Sequence, residues 1–217
     1  MSVTRVDIDP DGDTLIILPY EETSPNDKTK MEVDSAATKL QEDNSTLKRK
    51  IDDITSDSLP EFHFKVSMKH LALASRRARA MFAGPFKEAQ PTSADGLRHW
   101  KFEPLFDPEA FRIAMNIIHG KTRETPDAMA TEQLAHFAAV VDDLECHDAV
   151  WFAARTWVKQ ISESDYETGF DNCARLILIS FVFNEPQLFK TITGLAIGEN
   201  TASLSTSSLP IRLRIVG

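Results

Sequence analysis

The sequence predicts an α+β fold, a small β-sheet flanked by a helical layer with extra helices at its C-terminal side. Two observations carry this. A short apolar run at 15–18 and period-two alternation near 62–66 and 99–103 read as strands, and from Asp107 onward apolar residues recur at spacings of three and four. A third is punctuation: Ser75 and Asp107-Pro108 stand where helices should begin, and Gly84-Pro85 and Gly120 where they should end.

The first element is a loose alternation of Val3, Val6 and Ile8, followed by Asp9-Pro10-Asp11-Gly12 and the apolar run Leu15 to Leu18. Pro presets the first central torsion of a turn and Gly tolerates the permissive one, so residues 1–20 read as an N-terminal β-hairpin. From 21 to 58 the chain is rich in acidic residues, Ser, Thr and Asn, with scattered large apolar side chains. Such a segment buries too little to offset its ordering entropy and reads as a disordered acidic insertion. Within it Leu40, Leu47, Ile51 and Ile54 fall near helical spacing and Lys48-Arg49-Lys50 is a short basic run. These read as a partner-induced helix, a nuclear signal, or a solvated linker.

The central stretch runs from Phe62 to Glu88. Phe62, Phe64 and Val66 alternate with His63, Lys65 and Ser67 as a half-buried strand does, and Leu71, Leu73 and Ala74 then share one helical turn. Ser75 is placed to cap a second helix holding Ala78, Met81 and Phe82, which gives way at Gly84-Pro85 to a loop, Phe86-Lys87-Glu88. A polar loop, Ala89 to Arg98, leads to a short strand with Trp100 and Phe102 on one face. Asp107-Pro108 opens a helix burying Phe111, Ala114, Met115 and Ile118, and Thr131 is expected to cap the next, with Leu134, Phe137, Ala138, Val141 and Leu144 inward. Another spans His147 to Ile161, with Val150, Ala153, Ala154, Trp157, Val158 and Ile161 on its apolar face. The core is thus expected over 59–161. Residues 162–200 form a helical extension, with Asp171 to Phe183 apolar nearly all round and a last helix from Glu185-Pro186, and a Ser-rich flexible tail follows over 201–217.

Composition narrows the function. A net charge of -9 argues against a phosphate-binding surface, which needs a basic excess, so no direct nucleic-acid partner is expected. The longest apolar run, ending at Phe183, is far too short to span a bilayer, so no membrane partner is expected either. Two cysteines, Cys146 and Cys173, and no secretory leader fit a reducing, cytoplasmic or nuclear setting. Asp7, Asp9, Asp11 and Gly12 fit the first half of a calcium loop, but Leu18 stands where the bidentate Glu belongs. Cys146-His147, His136 and Cys173 lack zinc-ligand spacing. There is no G-x-S-x-G elbow and no glycine-rich phosphate loop, and Ser75 near His70 is accounted for by capping. No enzyme, metal or cofactor is expected.

The segment KHLALA at 69–74 followed by SRRARAMF at 75–82, after an aromatic strand and before a Gly-containing loop, resembles a BTB/POZ domain, in particular the type abundant in filamentous fungi. Arg76 stands where that family usually has Pro, and Ala78 where it has Phe. The resemblance covers 7–20 and 60 to about 160, with the strand at Asp13 to Leu18 beside that at Phe62 to Val66. It implies a non-catalytic protein–protein interaction module forming homo- or heterodimers, although the leading helix that relatives exchange in dimers is missing here. It also implies two narrower roles, a substrate adaptor for a cullin-type ubiquitin ligase or a transcriptional regulator acting through partners. Phe86-Lys87-Glu88 resembles the apolar-x-Glu element presented to cullin-type scaffolds, with Phe86 as a buried anchor and Glu88 as its charged neighbour; the alternative is that Phe86 covers the core and Glu88 is solvated. Arg76, Arg77 and Arg79 form a basic helix face that meets an acidic partner or the acidic insertion, or is simply wet.

Overall fold

The computed structural model describes residues 2–21, 59–162, 165–166 and 170–198. Apart from Glu21, the expected insertion at 21–58, with its helical spacing and basic run, lies outside the described residues, as does the expected tail at 201–217.

Four strands form one mixed sheet: β1 (Val3–Asp7), β2 (Thr14–Pro19), β3 (Glu61–Val66) and β4 (Arg98–Lys101). Their order is β1-β3-β2-β4. β2 and β3 are antiparallel neighbours, with Ile16 opposite Phe64 and Leu18 opposite Phe62, so the early apolar strand and the aromatic strand share one sheet. β1 runs parallel to β3, and β4 runs parallel to β2.

The expected hairpin of residues 1–20 is therefore corrected: β1 and β2 do not pair, because β3 lies between them. The Asp9–Gly12 turn exists nonetheless. Gly12 N–H donates to the Asp9 carbonyl at 3.0 Å and Asp11 N–H to the Asp9 carboxylate at 3.0 Å. The turn steps the chain across an intervening strand. Gly12 is required there, since a Cβ would stand 2.5 Å from the Val66 carbonyl oxygen.

Seven α-helices follow among the described residues: α1 (Met68–Ala74), α2 (Arg76–Ala83), α3 (Pro108–Ile118), α4 (Thr131–Leu144), α5 (His147–Val158), α6 (Phe170–Val182) and α7 (Pro186–Gly198). The Phe86 loop contains a 3₁₀ turn at Lys87–Ala89 rather than irregular chain. Two expected caps are made. The Ser75 side chain accepts from Ala78 N–H at 2.9 Å, and the Asp107 carboxylate accepts from Ala110 N–H at 2.7 Å, with Pro108 in the first turn. The third is not. Ala130 holds the cap position of α4, while the Thr131 hydroxyl, one residue inside the helix, donates to Asp165.

One core joins sheet and helices. Ile16, Leu18, Phe64 and Val66 pack with Leu71, Phe111, Leu134, Phe137 and Trp157. A run of rings ties the layers together, Phe64 to Phe111 at 5.4 Å, Phe111 to Phe102 at 5.2 Å and Phe102 to Trp100 at 4.7 Å between centroids. α6 is buried on nearly every side: Leu178, Ile179 and Val182 enter this core, while Cys173, Leu176 and Ile177 meet Ile192 of α7 in a smaller cluster. No helix of the described residues is long and apolar enough to cross a membrane.

Candidate functional site

α2, the 3₁₀ turn, β4 and the α4–α5 junction enclose an open groove of about 540 Å³. Its lining brings together four of the five residues singled out in the sequence: Arg76, Arg77, Phe86 and Glu88. Each is positioned by a local feature. The Ser75 cap starts α2, and its hydroxyl also donates to the Leu144 carbonyl, locking the helix start against the end of α4. The Arg76 N–H then donates to the Glu145 carbonyl at 3.3 Å. Phe86 is the residue before the 3₁₀ turn, and its ring lies over Gly84. A Cβ on Gly84 would meet ring atoms at 2.5 and 2.7 Å, so glycine allows the aromatic edge to rest on backbone. Phe86 remains 52% exposed, a ring partly anchored and partly open to solvent.

The three arginines part company. Arg77 forms an ion pair with Asp143, and its guanidinium lies 5.5 Å from the Trp100 ring centroid and 5.3 Å from that of Phe102. It belongs to the wall. Ala78, where the resembling family usually carries a ring, is fully buried beside it. Arg79 turns away, donating from Nε to the Ala72 carbonyl at 3.0 Å and from Nη2 to the Leu73 carbonyl at 3.1 Å. It satisfies the end of α1 and lines a neighbouring groove with His70, Leu73 and His147. The basic face is thus not uniformly wet, and of the three arginines Arg76 lies on both grooves, without an ion pair among the described residues.

Sequence reasoning missed the far wall. Trp100 and Lys101 of β4 line the groove, with Lys101 Nζ 3.6 Å from Glu61, and Glu145 closes it from the α4–α5 junction. Nothing local marks Lys101; it is brought there by the β2–β4 pairing, which sets Ile17 beside it.

The groove offers a half-exposed aromatic ring beside opposite charges, an arrangement suited to a small interaction hot spot. Ser75 is fully buried and its hydroxyl is committed to a carbonyl. Burial pushes the Cys146 thiol up to about 12, which keeps it in the neutral form near neutral pH. Among the described residues no group of three His, Cys, Asp or Glu side chains is placed to hold a metal ion. Comparison with protein-family models matches no family, and comparison with curated proteins matches none of them.

Proposed function

We propose that the chain is a non-catalytic protein–protein interaction module of BTB/POZ type, acting in the cytoplasm or nucleus through self- or partner association, with the Phe86 groove as its docking face. The observation that carries this reading is the convergence of Arg76, Phe86 and Glu88, separated by up to twelve positions, on one open groove. Support for the type comes from the KHLALA and SRRARAMF segments together with the β2–β3 pairing across residues 22–58.

Adaptor service to a cullin-type scaffold is the narrower reading. It is favoured over partner-mediated transcriptional regulation because Phe86 and Glu88, the apolar-x-Glu pair, both line the groove. A purified cullin N-terminal region is expected to be retained by the immobilised chain and lost with Phe86→Ala/Glu88→Ala. Retention unaffected by that double change removes the motif from the account, and no retention at all removes the adaptor role. The broader reading is tested by affinity purification from the native cell. Arg76→Glu and Phe86→Ala should each deplete the same captured proteins at unchanged circular dichroism, and an identical set from both variants and the unaltered chain would overturn the groove as docking face.

A further inference from the structure

The side of α5 turned away from the core carries the two most exposed aromatic residues among those described. Trp151 is 56% exposed and Phe152 is 80% exposed, while Val150, Ala154 and Trp157 of the same helix are buried. The Arg155 guanidinium lies 5.0 Å from the Trp151 ring centroid, holding the indole along the surface. A groove of about 300 Å³ runs between Trp151 and the α6–α7 junction, where Phe183, Asn184 and Glu185 form its wall. On the Phe152 side a second groove of about 320 Å³ ends at Pro126 and Asp127. Asp127, Asp148 and Glu185 border the two grooves, and among the described residues none of the three is in an ion pair. Arg155 is the only Lys or Arg lining these two grooves, although Asp148 also borders the groove of Arg76 and Arg79, so this face is an aromatic ridge in a largely acidic frame. The matching occupant is apolar and cationic.

Outside the described residues, Leu47 to Ile51 and Leu209 to Val216 both join apolar to basic residues, and of the two only the second alternates them. In Leu209-Pro210-Ile211-Arg212-Leu213-Arg214-Ile215-Val216, three apolar residues alternate with two arginines and no acid interrupts, in a chain of net charge -9. Pro210 biases Leu209 toward extended backbone, and period two gives an extended segment one apolar and one basic side. A groove takes both sides of such a segment, apolar groups against the rings and arginines at the rim. Reach is sufficient. α7 starts at Pro186, next to the Glu185 that forms the groove wall, and its thirteen residues cover about 20 Å. Residues 199–208 span up to roughly 33 Å when extended, more than the return requires.

We propose that residues 209–216 dock in extended form along the Trp151–Phe152 face of the same molecule, with Arg212 and Arg214 at Asp127, Asp148 and Glu185. This surface is separate from the Phe86 groove and does not depend on the function assigned there. The test uses the chain's own fluorescence. Of its three tryptophans, Trp100 and Trp157 are buried, so acrylamide quenching reports Trp151, and Trp151→Phe verifies the assignment. Quenching in the full chain is expected to be lower than in a chain ending at Ser208 by on the order of twofold, as covering a half-exposed ring requires. Arg212→Glu/Arg214→Glu, which keeps the chain length, should release Trp151 as truncation does. A synthetic peptide of residues 205–217 should restore protection to the truncated chain saturably, and less so at high salt. Equal quenching in all three chains overturns the proposal. Protection that fades on dilution also overturns it, assigning the face to the same segment of a second copy.

Discussion

Ser75 makes two buried contacts through one oxygen, accepting from Ala78 N–H and donating to the Leu144 carbonyl. Ser75→Ala strands both partners, so it should cost about 1–3 kcal/mol, read as a lower urea midpoint at unchanged slope. A midpoint that does not move would mean that water replaces both contacts. His119 is fixed as the neutral ring by its partners: Ser67 N–H must donate to Nε2 at 3.0 Å, and the Met115 carbonyl must accept from Nδ1 at 2.8 Å. Burial holds its pKa below the ordinary 6.5, opposed by the Met115 bond, with His70 and Lys121 lowering it further and Asp9 raising it. Above 6.5 the ring is neutral in both folded and unfolded chains and adds no pH dependence. As pH falls through 6.5 the unfolded chain takes up a proton that the folded chain does not, so stability declines until the folded pKa is passed. Unfolding free energy measured from about pH 7 to pH 5 should fall more steeply for the unaltered chain than for His119→Gln. Parallel curves would remove His119 as the titrating group.

At the scale of elements, the α4–α5 junction stores backbone strain. Glu145 has a φ of 51° at the C-cap of α4, a left-handed conformation that costs a side-chain-bearing residue about 1 kcal/mol. Glu145→Gly relieves it and leaves the carbonyl that accepts from Arg76 in place. It should therefore raise the thermal midpoint by a few degrees, equivalent to about 1 kcal/mol; a lowered midpoint would show that the carboxylate in the groove contributes more than the strain costs. Thr131 shows the limit of reading junctions locally. A threonine before an apolar stripe is a good cap candidate, yet capping depends on where its oxygen lies relative to free amides, and here that oxygen is drawn to Asp165. The aromatic face of α5 was readable in principle. Trp151 and Phe152 fall off the stripe formed by Val150, Ala154 and Trp157, and large rings on the side facing water are the informative departure.

Across the whole molecule, α6 makes the last two helices part of the main body, because Leu178, Ile179 and Val182 are core residues and Phe183 stacks on Phe137 at 6.3 Å. Leu178 is 1% exposed, so Leu178→Ala should cost about 2–5 kcal/mol, with transitions by circular dichroism and tryptophan fluorescence still superimposed. Separated transitions would mean that α6 and α7 unfold on their own. The class of the fold, the β2 and β3 strands, the faces of the helices and the caps at Ser75 and Asp107 all follow from residue order, because periodicity and capping are decided over a few positions. β1 is a strand as expected, but its neighbour is not the expected one, for the opposite reason. Alternation tells which side of a strand is buried and not which strand lies at its edge, and a good turn at Asp9–Gly12 does not say whether its two arms touch. Lys101 and Glu145 likewise joined the groove only through strand order and a helix junction. Residue order by itself determined which segments are helix and strand and which residue types a partner would meet. Tertiary structure alone decided strand neighbours, the parting of the three arginines and the walls of both grooves, since those are set by contacts between segments far apart along the chain.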